Sequence, residues 1–147
     1  MIERTQTALF GEGKLYGDNR STISFSENGR TFRAQNRHKK SIEAYHIDGK
    51  AVTSGARCDY ALVIPLENNI YLIELKGKDL GYAAGQISAT LETLKQKIAG
   101  CKVFGRIVLS RVQVPDIKTI PVITCQKKLR DYQGDLKYKA VLLEEQI

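Results

Sequence analysis

The sequence predicts an α/β domain built on a mixed β-sheet, and three observations carry that prediction. Residues 22–26 and 31–34 alternate polar and apolar side chains around Asn28-Gly29. That dipeptide is the strongest short hairpin signal, because a type I′ turn needs positive φ at both central residues. Residues 58–64 and 70–76 are Val/Ile/Leu-rich runs joined by Pro65-Leu66-Glu67-Asn68-Asn69, which predicts an antiparallel pair. Leu80, Ala84, Ile87, Leu91, Leu94 and Ile98 then step by fours and threes along one helix face. Strands, a helix and further strands in that order make a mixed sheet.

The remaining elements follow along the chain. Residues 1–20 hold Gly11, Gly13 and Gly17 without a sustained period and read as a short helix or an irregular arm. Gly11-Glu12-Gly13-Lys14 lacks the spacing of a phosphate-binding loop, and Leu15 stands where Ser or Thr belongs. Residues 41–48 read as a strand ending at Asp48-Gly49, with a short helix through Glu43 as the other reading. Asp79 suits the N-cap of the helix, and Gly100 suits a left-handed residue at its end. Residues 103–112 and 120–124 read as two more strands, the second bounded by Pro115 and Pro121. Residues 126–134 read as a turn of helix or a loop. Residues 136–143 read as one closing strand, with Leu136, Tyr138, Ala140 and Leu142 on one face.

A chain of 147 residues with no repeat and no internal linker is expected to form a single domain, 1–147. With 42% hydrophobic and 27% charged residues it is not a disordered tail, a collagen-like repeat or a coiled coil. No apolar run approaches the ~18 residues of a membrane span, so no membrane partner and a cytoplasmic location are expected. Three cysteines, Cys58, Cys101 and Cys125, form no C-x-x-C, and only His38 and His46 could join them. Buried thiols fit better than a disulfide framework or a zinc site. The formal charge of +7 favours a polyanionic partner. Arg30, Arg33, Arg37, Lys39 and Lys40 have no acid among them and could track a phosphate backbone. A solvated face explains the same run.

The chemistry centres on three residues. Asp59 opens the first strand of the central pair, and Glu74 and Lys76 lie two apart at the end of the second. Alternation puts Glu74 and Lys76 on one face. Asp59 joins them if the register has the right parity, for example 59 opposite 76 and 61 opposite 74. Two carboxylates among Ala61, Val63, Ile70 and Leu72 repel unless a cation sits between them. A hard divalent ion such as Mg²⁺ takes one or two carboxylates. A strand-end ion pair of Asp59 with Lys76 is the competing structural reading.

These residues resemble a known family. Cys58-Asp59, then Ile73-Glu74-Leu75-Lys76-Gly77, then a helix carrying Gln86, is similar to the PD-(D/E)xK nuclease superfamily, in its RecB-like, Cas4-like or Holliday-junction-resolvase-like branches. The resemblance implies a restriction-endonuclease-like core, a mixed sheet flanked by helices with an N-terminal β-hairpin added. It implies that Asp59, Glu74 and the Leu75 carbonyl ligate Mg²⁺, with Mn²⁺ as a substitute, and that Lys76 acts on the attacking water. Gln86 matches a glutamine of the following helix, and Glu43 is the nearest match to a further acid, with Asp48 the second. The expected activity is hydrolysis of DNA phosphodiesters, by an endonuclease ahead of an exonuclease. A chain this small often needs a second copy to cut both strands. The alternative is a nucleic-acid-binding module that keeps the fold without the reaction.

Overall fold

The computed structural model describes residues 10–48, 57–75, 79–111 and 119–147. Among these residues nine strands and two α-helices follow one another: β1 (Lys14–Asp18), β2 (Thr22–Glu27), β3 (Arg30–Gln35), β4 (Ile42–His46), β5 (Tyr60–Ile64), β6 (Asn69–Glu74), α1 (Leu80–Thr93), β7 (Lys102–Leu109), α2 (Ile120–Asp131), β8 (Leu136–Ala140) and β9 (Leu142–Gln146). A six-stranded sheet runs β1-β4-β5-β6-β7-β8, and a three-stranded sheet runs β2-β3-β9. The larger sheet is mixed: β1, β4, β5 and β6 pair antiparallel, whereas β6-β7 and β7-β8 pair parallel.

Strand alternation splits the core in two. Ala61, Val63, Ile70, Leu72, Val103 and Ile107 point to the face covered by Leu80, Ala84, Ile87 and Leu91 of α1 and by Val122, Cys125 and Leu129 of α2. Leu62, Ile64, Tyr71, Ile73 and Val108 point the other way, onto Ile23, Phe25, Phe32 and Ala34 of the small sheet. The helices therefore cover one face and the hairpin sheet the other. Each fully buried Leu or Ile contributes about 1.5–3 kcal/mol, so the central strands, buried on both faces, dominate the cohesion.

Several expectations hold at the level of single residues. Asn28 and Gly29 both take positive φ, 49° and 78°, as the hairpin turn requires. The Asp79 carboxylate accepts from the Gly81 and Tyr82 amides and caps α1. All three cysteines are buried free thiols.

Others are corrected. Residues 14–18 are not an arm but the edge strand β1, held by pairing with β4 rather than by any apolar period of its own. α1 ends at Thr93, and Leu94 and Ile98 continue its buried stripe as turns before Gly100 reaches φ 81°. Residues 120–124 are not a strand: they open α2, where Pro121 occupies the first turn, a position with no partner to lose. Residues 136–143 are two strands, because Val141 at φ 68° turns the chain from the large sheet into the small one. Gly134, which closes the α2–β8 connection, has no room for a side chain: a Cβ would lie 1.6 Å from the Val103 carbonyl oxygen. Among the described residues, no helix is long and apolar enough to cross a membrane.

Candidate functional site at the Asp59–Glu74 end of the sheet

Asp59 immediately precedes β5, and Glu74 closes the antiparallel neighbour β6. Tyr60 faces Ile73 and Ala61 faces Leu72. This register has the expected parity but is slid by two residues, and continued past Tyr60–Ile73 it would set Glu74 rather than Lys76 against Asp59, whose amide bonds to the Ile73 carbonyl. Glu74 follows Ile70 and Leu72 on the helix-covered face. Both carboxylates are buried, at 1% and 3% exposure. Asp59 Oδ2 accepts a 2.7 Å hydrogen bond from the Leu75 amide, which ties the two strand ends together. Lys76 lies outside the described residues.

The segment leading into Asp59 is pinned at each residue. Gln86 Nε2 donates to the Arg57 carbonyl at 3.2 Å. The Cys58 amide donates to Thr90 Oγ1 at 2.8 Å, and that hydroxyl donates to the Gln86 carbonyl one helical turn back. The Asp59 amide donates to the Ile73 carbonyl, and the Asp59 carbonyl accepts from Ile47. Arg57 Nε donates to Asp48 Oδ1 at 2.6 Å. Burial pushes the Cys58 thiol well above its ordinary pKa, and the Glu74 and Asp59 carboxylates push it the same way. Cys58 thus stays a neutral thiol beside two acids.

The other expected residues disperse. Glu43 sits within β4 opposite Val63, four residues from Asp59 along β5 or about 13 Å. It binds Lys14 and the Tyr45 hydroxyl there, away from the carboxylate pair. The basic run does not form one strip. Arg30 is buried at 8% exposure, its Nε and Nη1 without a hydrogen-bond partner. Arg33 pairs with Glu144 at 3.5 Å and Lys40 with Glu67 at 2.8 Å. Arg37 and Lys39 are exposed in the link from β3 to β4. Glu67 belongs to the β5–β6 turn, so this link lies at the opposite end of β5 from Asp59, about 16 Å away over five residues.

The chain matches no family model, no curated protein and no solved structure. The site must be judged on its own chemistry. Among the described residues no group of three or more His, Cys, Asp and Glu is assembled. Two hard carboxylates with a neighbouring backbone carbonyl are still a donor set that suits Mg²⁺, which keeps several waters. Reading residues alone missed Thr90 and Arg57. A hydroxyl on the buried stripe of α1 was the available signal for Thr90, and proximity to Asp59 the signal for Arg57.

Proposed function

We propose that the protein is a Mg²⁺-dependent nuclease acting on DNA phosphodiesters, with a restriction-endonuclease-like core. The carrying observation is the burial of Asp59 and Glu74 at the adjoining ends of two paired strands. Two carboxylates held at adjoining strand ends are the hard oxygen donors that a divalent ion such as Mg²⁺ takes. Asp59, Glu74 and the Leu75 carbonyl would hold the ion, which supplies Lewis acidity toward a phosphoryl oxygen. In the reaction a water oxygen forms a new P–O bond while one ester P–O bond breaks. The water gives up a proton, and the departing alkoxide takes one. Lys76, by the resemblance, assists the attacking water. The pinned Arg57–Asp59 segment fixes the acids before substrate arrives, which limits reorganisation during the step.

The test uses plasmid, linear, single-stranded and branched DNA with Mg²⁺, Mn²⁺ or EDTA. Asp59→Ala and Glu74→Ala should each abolish metal-dependent cleavage and leave DNA binding intact or tighter, since each removes a charge that repels phosphate. Mg²⁺ at 100 times Kd should stabilise the wild type by about 2.7 kcal/mol, or about 5–10 °C in Tm, and Glu74→Ala should erase that gain. A wild type that cuts none of these DNAs and shows no Mg²⁺ shift would overturn the reading. Binding without cleavage would identify a nucleic-acid-binding module.

A further inference from the structure

We infer that Arg57 is a catalytic residue of this site, its guanidinium engaging the phosphate under attack, and that Asp48 is its positioning residue rather than a third metal-binding acid. The inference rests on the nuclease reading, extends it to Arg57, and gives Asp48 a role other than the further acid that the resemblance implies.

Three features carry it. The first is rigidity. Arg57 leaves a backbone fixed by Gln86 at its own carbonyl, by Thr90 at the next amide and by Ile73 and Leu75 at Asp59. The Cα of Arg57 is thereby set relative to the carboxylates with little freedom. The second is orientation. Asp48 Oδ1 takes Arg57 Nε at 2.6 Å, a charge-assisted bond, and the Asp48 amide also approaches the Asp59 carbonyl at 3.4 Å. Both members of the ion pair are therefore anchored to the residue that bears the buried acid. The third is access. The side chains of Arg57 and Asp48 are each 26% exposed, whereas Asp59 and Glu74 are buried. A partly exposed guanidinium two residues before Asp59 can meet a substrate that the acids alone would repel.

The chemistry explains the choice of arginine. Phosphoryl transfer spreads negative charge over the equatorial oxygens, and a fixed guanidinium offers planar donors matched to two of them. It transfers no proton and changes no bond, so the balance of the hydrolysis is unaltered. A carboxylate already bonded to a guanidinium is a poor metal ligand, because its charge is compensated. The opposing explanation is a clasp: the ion pair only joins the end of β4 to the start of β5.

Four variants separate these readings: Arg57→Gln, Arg57→Lys, Asp48→Asn and the exchange Asp48→Arg with Arg57→Asp. Cleavage by wild type is measured first, and its absence overturns both the nuclease reading and this one. With wild-type cleavage in hand, Arg57→Gln should lower kcat at least 100-fold with less than threefold change in KM. Arg57→Lys should recover part of kcat. Asp48→Asn should lower kcat about tenfold and keep the full Mg²⁺ shift in Tm. The exchange should restore the melting temperature and leave cleavage lost. Recovery of cleavage by the exchange would make the pair a clasp and overturn the proposal, as would wild-type kcat in Arg57→Gln. Loss of the Mg²⁺ shift in Asp48→Asn would return Asp48 to the metal ligands and overturn its positioning role.

Discussion

Cys125 lies buried on α2, and loss of solvent raises its thiol pKa from an ordinary 9.0 to about 11. The folded state therefore holds this proton more tightly than the unfolded chain. Stability from this group is fully present below pH 9 and is lost as pH rises through 11, because in that window the unfolded chain binds fewer protons. A two-unit shift corresponds to about 2–3 kcal/mol. Burial moves Cys58 in the same direction. Denaturant unfolding at pH 8, 9.5 and 11 should show the decline, and Cys125→Ala should flatten it between 9 and 11. An unchanged slope in the variant would assign the alkaline loss elsewhere.

β9 is fastened to the large sheet by one buried cation. Arg106 on β7, 2% exposed, donates to both carboxylate oxygens of Glu145 and, at 2.8 Å, to Asp135 Oδ1 and the Gly105 carbonyl. Its guanidinium also lies 5.4 Å from the Tyr71 and Phe104 ring centres. Glu145→Ala should cost about 3 kcal/mol in denaturant unfolding, because it removes the more buried of the two carboxylates that compensate Arg106 and leaves only Asp135. Arg106→Met combined with Glu145→Leu should cost less than Glu145→Ala alone, and simple addition of the two losses would contradict this account. None of this network was visible in the sequence, since Arg106 and Glu145 meet only when two sheets pack. α2 was hidden for a different reason. Ile120, Val122, Ile123 and Thr124 are β-branched and read as a strand, while the helical spacing of Val122, Cys125 and Leu129 becomes decisive only once a core exists to receive it. Val141 carries no signal of the left-handed turn it makes. The hairpin, the β5–β6 pair and the placing of Asp59 and Glu74 at the ends of that pair were legible because local turn chemistry and strand alternation determine them. Asp48–Arg57 was not, since its partners are set by the β4–β5 connection.

At the scale of the whole molecule, described basic residues lie toward both ends of the large sheet, Arg37 and Lys39 at one and Arg57 and Arg111 at the other. A duplex seated at the carboxylate end would meet Arg57 and the exposed Arg111, which follows the end of β7 that pairs with Glu74. Arg37 and Lys39 lie at the far end of β5 from that position. Arg111→Gln should therefore reduce the salt slope of DNA binding by about 0.9. Arg37→Gln with Lys39→Gln should leave it unchanged, and a drop of about 1.8 there would place the DNA along the β3–β4 link instead. The small sheet has a consequence in time. Gln35 of β3 and Glu144 of β9, hydrogen-bonded at 2.9 Å, are 109 residues apart. At ribosomal rates of about 5–20 residues per second, β3 emerges about 5–20 s before its parallel partner exists. Through that interval Phe25 and Phe32 must be sheltered by the hairpin's own collapse or by a chaperone, and the free edge of β3 invites pairing with a neighbouring nascent chain. The first hairpin is complete long before its sheet is.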